Sequence, residues 1–266
     1  MTIISCIKQV QDLDIVLKDD WVVGNDGLTI DIDYANRIMN TFDETSLELM
    51  LRLKDEMEEV RTKVVTVGGL RSESILRKAM AVGADEALRI EPPFDLDFRP
   101  EKTALLLKEA VAGEEETELV LCGRQADNGS NGQTGQILAE MLGWPCLTMV
   151  TDIKKIGNEY RISRLTEEGT EHLHAAPPLV VTVTQSENKL LRMATLKAML
   201  TAKKEGIRVL ESEEEAPSDE SPSYTLEKIT INRADKHCVF LEETERSSRT
   251  DQLIRILKDR PDNQGD

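Results

Sequence analysis

Aromatic residues are scarce in this chain, and basic residues are outnumbered by acidic ones. Aromatic side chains make up 3% of the 266 residues, so the hydrophobic core must be aliphatic. Lys and Arg number 33 against 50 Asp and Glu, which gives a formal net charge of −17 at pH 7. Because few rings can stack on bases and the surface repels phosphate, both features argue against nucleic acid and anionic membranes as partners.

Long apolar runs and clustered metal ligands are also missing from the sequence. No apolar stretch approaches the roughly 18 residues that span a bilayer, and the first residues become polar too quickly for a signal peptide. The four cysteines are widely separated without a C-x-x-C pair, and the three histidines form no ligand set. We therefore predict a cytoplasmic protein with no transmembrane segment and no metal site, whose cysteines lie in the core.

Residues 119–136 have the pattern of a buried strand, a polar glycine-rich loop and the beginning of a helix. Gly129, Gly132 and Gly135 are spaced by three, which matches neither the dinucleotide fingerprint nor the P-loop, and no lysine follows. Free N–H groups at a helix N-terminus suit an anion such as phosphate, and glycines let the backbone approach a ligand. Taken alone, this stretch leaves a nucleotide loop and an ordinary strand-to-helix turn equally open.

Buried strands and amphipathic helices alternate through the first half of the chain. The predicted strands are 2–8, 64–69, 87–90 and 118–122, and the predicted helices are 44–58, about 72–82, 100–112 and 133–142. Thr41 or Asp43 is the expected cap of the first helix. Near-continuous apolar strands of this kind are typical of a parallel sheet that is covered by helices on both faces.

Several small or polar segments follow the ends of these strands. Ligands of parallel sheets bind at the carboxyl ends of the strands, near a topological switch point. Four segments can therefore converge on one crevice: 6–9, the segment at Asn40, 67–69 and 123–134. A loop that merely turns the chain needs no such neighbours, so the expected convergence favours ligand binding by the glycine-rich loop.

The second half of the chain changes in pattern and ends in an acidic stretch. Strands are predicted at 147–153, 159–165, 170–174 and 179–184, with an antiparallel pair among them. Residues 211–223 are acidic with two prolines, which is typical of a linker without regular structure. A final helix is predicted at 249–258, with Leu253, Ile254 and Leu257 apolar. The last residues are too few to bury a core of their own, so they must pack on the domain or on a partner.

Residues 185–204 form the one basic segment of this acidic chain. Apolar Leu196, Met199 and Leu200 are mixed with lysines, and a short helix is predicted to begin near Ala194. Composition favours a helix with its apolar side on the core and its basic side in solvent. The alternative is a docking element, in which an apolar tip lies within a positive collar.

In order and spacing, several motifs resemble those of the small, or β, subunit of electron-transfer flavoproteins. The motifs are IKQV at 7–10, MNTF at 39–42, AVGAD at 81–85, GRQA at 123–126, NGQTGQ at 131–136, LGWP at 142–145 and the stretch 178–204. The resemblance implies an α/β, Rossmann-like fold of the adenine nucleotide α-hydrolase-like type, with a mostly parallel sheet. The resemblance covers the nucleotide-binding domain at 1–210. Beyond the acidic linker at 211–223, the arm at 224–266 departs most from the family pattern, and we expect it to pack on the partner subunit.

The resemblance further implies an electron carrier with no catalytic residues of its own. In this family a larger α subunit holds most of a redox-active FAD, and the crevice of the β subunit holds AMP, or a second FAD in electron-bifurcating members. Carried over by position, the residues in contact with the nucleotide would be Cys6, Asn40, Thr41, Phe42, Asp43, Val67, Gly123, Ala126, Asp127, Asn128, Gly129, Ser130, Asn131, Gly132, Gln133 and Thr134.

The resemblance also assigns a docking role to part of the basic segment. The family docks onto acyl-CoA dehydrogenases through a loop that usually has the sequence R-Y-A-T-L-P. The corresponding residues here are Arg192, Met193, Ala194, Thr195 and Leu196, followed by a lysine. The leucine keeps its place while the aromatic residue and the proline are lost, which leaves the identity of the partner dehydrogenase open.

The glycine-rich loop separates two versions of this function. Bifurcating relatives carry D-G-D-T-A-Q-V-G-P there, whereas residues 128–135 are N-G-S-N-G-Q-T-G and lack the V-G-P ending. We predict AMP, with a second FAD and electron bifurcation as the alternative. A stand-alone adenine-nucleotide sensor and an ATP-using ligase of related fold also remain open, and the lack of a phosphate-binding lysine motif counts against the ligase.

Overall fold

The computed structural model describes residues 1–93, 96, 98–186, 189–212, 226–231, 240–241 and 246–258. Eleven strands, six α-helices and three short 3₁₀-helices make up the regular structure of these residues. The strands are β1 (Thr2–Cys6), β2 (Gln9–Gln11), β3 (Arg37–Met39), β4 (Arg61–Val67), β5 (Glu86–Glu91), β6 (Thr117–Gly123), β7 (Cys146–Ile156), β8 (Glu159–Thr166), β9 (Gly169–Ala175), β10 (Leu179–Val183) and β11 (Arg208–Glu211). The helices are α1 (Thr41–Glu56), α2 (Glu73–Ala81), α3 (Pro100–Ala112), α4 (Thr134–Leu142), α5 (Leu196–Ala202) and α6 (Arg246–Lys258).

Nine of the strands form one sheet in the order β11-β5-β4-β1-β6-β10-β7-β8-β9. From β11 to β7 all neighbours are parallel, and β7, β8 and β9 pair antiparallel. Strands β2 and β3 form a separate antiparallel pair. The arrangement confirms the predicted α/β fold with a mostly parallel sheet and an antiparallel pair among the later strands.

Successive side chains of the central strands point to opposite faces of the sheet, and each face has its own core. In β1, Ile3 packs in a cluster with α1 and α2, whereas Ile4 packs in a second cluster with α3 and α4. Strands β4 and β6 alternate in the same way. Because helices cover both faces, these strands are nearly continuous apolar runs, which is why the sequence pattern located them.

The chain changes its direction of travel across the sheet between β1 and β6. Strands β4 and β5 lie on one side of β1, and β6 and β10 lie on the other. Cys6 and Cys122 are directly opposite one another at this switch point. The carboxyl ends of β1 and β6 therefore border the kind of crevice in which α/β sheets bind ligands.

The structure corrects one predicted cap and adds three short strands, β2, β3 and β11, to the eight that were predicted. Asn40 occupies the N-cap of α1, and Thr41 and Asp43 lie inside the helix, so the predicted cap is wrong. The carboxylate of Asp43 instead accepts hydrogen bonds from two strand ends. Strand β11 was not predicted, because it is a short edge strand of mostly exposed residues without an apolar run.

The chain divides into two units after Ile229, and α6 belongs to the second unit. This helix confirms the one predicted from about residue 249. The predicted linker at 211–223 lies outside the described residues from position 213 onward, as do residues 224, 225, 232–239, 242–245 and 259–266 of the arm. Within the described part of the chain, no helix is both long and apolar enough to cross a membrane.

Candidate functional site

A cavity of about 400 Å³ opens at the carboxyl edge of β1, β4 and β6. Most of the residues predicted to contact a nucleotide line it: Cys6, Asn40, Asp43, Val67, Gly123, Ala126, Asn128, Gly129, Ser130, Asn131, Gly132, Gln133 and Thr134. Thr41, Phe42 and Asp127 are not among its lining residues. The fold thus brings the four predicted strand-end segments together at one cavity.

Asn40 ties the N-terminus of α1 to the loop after β6. Its side chain is buried, Nδ2 donates to the carbonyl of Gln125 at 2.8 Å, and Oδ1 accepts the N–H of Asp127 at 3.2 Å. Thr41 adds a weaker bond, from Oγ1 to the carboxylate of Asp127 at 3.3 Å. Thr41 and Asp127 therefore join the N-terminus of α1 to the loop without lining the cavity.

Asp43 joins the ends of the two strands that border the switch point. Its carboxylate accepts the backbone N–H of Lys8 at 2.7 Å and that of Gly123 at 3.0 Å. Burial raises the pKa of Asp43 to about 7, although these two N–H donors and the side chain of Asn40 favour the charged form. The cavity therefore has a buried carboxyl group that titrates near neutral pH.

Two glycines allow helices α1 and α4 to approach the sheet closely. A Cβ added at Gly123 would overlap the carboxylate of Asp43 and would lie 3.0 Å from Cβ of Phe42. A Cβ added at Gly135 would lie 2.7 Å from Cγ2 of Thr182. Larger residues at either position would push a helix away from the cavity.

The loop between β6 and α4 uses three residues with a left-handed backbone. Gly129, Ser130 and Gly132 have φ angles of +84°, +41° and +64°. Glycine adopts this region readily, whereas serine does so uncommonly, and Ser130 is held there by a hydrogen bond from Oγ to the carbonyl of Ala126 at 3.0 Å. The loop leads to Thr134, which begins α4 and lines the cavity, so the N–H end of this helix belongs to the site.

Three basic residues and one acidic residue are among the described residues that line the cavity. The basic residues are Lys8, Arg99 and Arg124, and Asp43 is the acidic one. The guanidinium of Arg124 lies 5.3 Å from the ring centroid of Phe42, so Phe42 supports the wall without lining it. In a chain of net charge −17, a locally basic cavity favours an anionic ligand.

Lys8 and Arg124 lie in two of the predicted segments, whereas sequence analysis missed Arg99 and the rest of the wall that follows β5. The missed wall consists of Pro92, Leu96, Phe98, Arg99, Pro100, Thr103 and Leu107. The same rule that found the other segments applies here, because this wall also follows the carboxyl end of a parallel strand. The break in apolar pattern before α3 concealed it.

The cysteines of β1 and β6 lie on the floor of the cavity. Cys6 and Cys122 are both buried, as the sequence predicts for core cysteines. The hydrogen bond between their side chains, together with burial, raises the pKa of Cys122 well above its usual value. The thiol of Cys122 therefore stays protonated at neutral pH.

The segment predicted to dock a partner lies on the surface, and none of its residues lines the cavity. Met193 is 95% exposed and Leu196 is 70% exposed. Met199 and Leu200 are also exposed, and Ala202 is the one described residue of α5 that is buried. The expectation that the apolar side of this helix faces the core is therefore wrong.

Comparisons with known proteins agree with this architecture. The family model described as "Electron transfer flavoprotein domain" matches residues 27–215. A protein from Bradyrhizobium diazoefficiens named electron transfer flavoprotein subunit beta is 30% identical over 207 residues, which cover 78% of this chain and 80% of the relative. Proteins of the same name from Bacillus subtilis and Homo sapiens are 32% and 30% identical, over 74% and 79% of this chain and 76% and 81% of their own lengths.

An open, mostly parallel sheet with a crevice at its switch point defines the class of this chain as an α/β protein, and its strand-end loops border a candidate ligand site. Within that class, the chain belongs to the electron transfer flavoprotein beta-subunit family, because the family model and the relatives cover most of it. The resemblance drawn from the sequence motifs is thereby confirmed.

Proposed function

We propose that this chain is the β subunit of a heterodimeric electron carrier. An α subunit supplies most of the site for a redox-active FAD, and the carrier takes electrons from a flavin-containing dehydrogenase of the acyl-CoA type and delivers them to a downstream acceptor. The proposal is supported most by the cavity at the switch point of the sheet, in a chain that belongs to this family. The flavin supplies the redox chemistry, and this chain holds a nucleotide and presents a docking surface.

AMP is the proposed occupant of the cavity. A volume of about 400 Å³ lies near the lower end of the range of roughly 300–1,000 Å³ for small-molecule sites, which favours a mononucleotide over a second FAD. The N-terminus of α4 suits the phosphate, and Lys8, Arg99 and Arg124 add positive charge. We also propose that the carrier lies in the cytoplasm, where a net charge of −17 keeps protein molecules apart by mutual repulsion.

Counting the nucleotides in the purified heterodimer tests this assignment. One FAD and one AMP per heterodimer are expected after extraction. Two flavins without AMP would instead support a bifurcating carrier with a second FAD in the cavity. A chain that purifies as a monomer without an α subunit would contradict the carrier and support a stand-alone adenine-nucleotide sensor.

The proposed anchor for the dehydrogenase is Leu196 with its neighbours Arg192, Met193, Ala194 and Thr195. Burying an exposed leucine in an interface contributes roughly 1.5–3 kcal/mol, so Leu196→Ala should weaken docking roughly 10- to 100-fold and leave the flavin content unchanged. Leu70→Ala is the matched control, since Leu70 is 71% exposed against 70% for Leu196. Equal electron-transfer kinetics in the two variants would remove the docking role.

The arm at 224–266 is proposed to pack on the α subunit, beyond the nucleotide-binding domain at 1–210 and the linker at 211–223. Leu253, Ile254 and Leu257 of α6 are exposed to 45%, 42% and 57%. This apolar stripe is suited to a partner surface. A chain that ends after Ile229 should co-purify with less α subunit than the full chain, and equal recovery would contradict the proposal.

A further inference from the structure

The docking segment, which we define as residues 189–196, displays some of its apolar side chains and buries others. Leu190, Met193 and Leu196 are exposed to 81%, 95% and 70%. Leu191 and Ala194 pack against the core cluster on the face of the sheet that α1 covers. Exposed apolar side chains tend to collapse onto the nearest surface. The three exposed side chains therefore stay in solvent only if the backbone of the docking segment is held in place.

A buried carboxylate holds the centre of the docking segment. Glu48 of α1 accepts three hydrogen bonds from Arg192: from the backbone N–H at 3.1 Å, from Nε at 3.1 Å and from Nη2 at 3.2 Å. Arg52 donates to the same carboxylate at 3.0 Å. Burial opposes the charge of Glu48, but the hydrogen bonds from Arg192 and Arg52 outweigh it and lower the pKa of Glu48.

This contact differs from an ordinary ion pair at the surface. Glu48 is 4% exposed, and it binds the main chain of Arg192 as well as the guanidinium. It therefore fixes the backbone of the residue that immediately precedes Met193. The two parallel bonds from the guanidinium add a fixed orientation, because an arginine fork and a carboxylate match in geometry.

Other contacts hold the two ends of the docking segment. Lys189 pairs with Asp152 of β7. Thr195 Oγ1 accepts the N–H of Ala198 at 3.2 Å and so caps α5. Beyond the segment, Arg77 of α2 donates to the carbonyls of Ala202, Lys203 and Glu205, at and just past the end of α5, at 3.0–3.1 Å. The buried carboxylate on α1 thus acts on the centre of the segment, between two ends that are fixed independently.

We propose that Glu48 is a positioning residue for docking: it holds the backbone at Arg192 so that Met193 and Leu196 project toward the partner dehydrogenase. The inference rests on the proposed docking function of this segment. When the carboxylate of Glu48 loses its charge, the guanidinium keeps Asp55 of α1 as a partner, at 2.8 Å from Nη2. The side chain of Asp55 is 57% exposed and holds Arg192 less firmly than the buried Glu48 does, so the segment adopts other conformations. The apparent affinity for the partner then falls in proportion to the population that remains competent to dock.

The test compares Glu48→Gln with Arg52→Gln in the intact heterodimer. Arg52→Gln is the matched control, since it removes one bond to the same carboxylate and leaves the three bonds from Arg192 in place. Glu48→Gln should make amide hydrogen exchange at residues 190–196 roughly tenfold faster. In steady-state electron transfer from a purified acyl-CoA dehydrogenase, it should raise KM for the carrier roughly tenfold with little change in kcat or nucleotide content. Arg52→Gln should change both quantities much less.

The outcomes separate this inference from the proposed function. Unchanged exchange in Glu48→Gln overturns the positioning role. Faster exchange with unchanged KM overturns it as well, provided that Leu196→Ala does raise KM; if Leu196→Ala also has no effect, the docking function itself fails. If Glu48→Gln does not fold, Arg192→Lys applies the same test, because it keeps the charge and the backbone N–H but removes the fork. Unchanged exchange and KM in that variant would overturn the proposal.

Discussion

Replacing Asn40 with alanine tests how the cavity is held together. The side chain of Asn40 is 1% exposed and connects α1 to the loop after β6 through the carbonyl of Gln125 and the N–H of Asp127. In Asn40→Ala both groups of the loop lose their partner. The loop is then no longer fixed to the helix that also provides Asp43 to the cavity.

The size of the effect follows from these two hydrogen bonds. A buried polar group left without a partner costs about 1–3 kcal/mol. Because the two loop groups are partly buried, Asn40→Ala should lower the free energy of unfolding by about 2–4 kcal/mol. For a protein of this size each kcal/mol lowers Tm by about 2–4 °C, so Tm should fall by about 4–16 °C. AMP binding should weaken at least about tenfold, since a freed loop must be ordered again when the nucleotide binds.

Urea unfolding and calorimetric titration with AMP measure these two effects on the heterodimer. Asn36→Ala is the matched control, because Asn36 is an exposed asparagine four residues before Asn40. Its free energy of unfolding should stay within about 0.5 kcal/mol of that of the parent protein. If Asn40→Ala matched this control in both stability and AMP affinity, contacts other than Asn40 would hold the loop and the reasoning would be refuted.

Two further predictions concern buried charges. Burial raises the pKa of Asp43 to about 7 from 3.8, so the folded protein binds this proton more tightly than the unfolded chain does. The stability of the parent protein relative to Asp43→Asn is therefore highest below about pH 4 and falls by about 1.4 kcal/mol per unit as the pH rises toward 7. Urea unfolding across this range measures the slope, and a slope of opposite sign would contradict the raised pKa. Glu114→Gln leaves Lys63, which is 1% exposed, with Glu86 at 3.7 Å as its remaining partner among the described residues. This variant should lose about 3–5 kcal/mol in urea unfolding, whereas the double variant Lys63→Met with Glu114→Gln should lose much less; equal losses would show that the buried charge is not the cause.

The strands and helices were predictable because the spacing of apolar residues within a short stretch shows which faces of an element are buried. Strands β1, β4 and β6 are apolar on both faces, which predicts a parallel sheet with two layers of helices. Because these strands end at the same edge of the sheet, the segments that follow them are expected to lie close together. These segments, including residues 123–134, line one cavity in the structure. The wall formed by Phe98 and Arg99 obeys the same rule but has no apolar period of its own to mark it.

Contacts between distant parts of the chain could not be predicted in this way. Asp43 looks like a helix cap in its local sequence, yet its carboxylate binds Gly123, 80 residues away. Glu48 looks like an ordinary helical glutamate, yet it holds Arg192, 144 residues away. The sequence by itself determined the order of the elements and their buried faces, because these depend on local apolar spacing. Only the tertiary structure decided which groups the buried carboxylates bind and which side chains of the docking segment are displayed, because both depend on how α1 packs on the completed sheet.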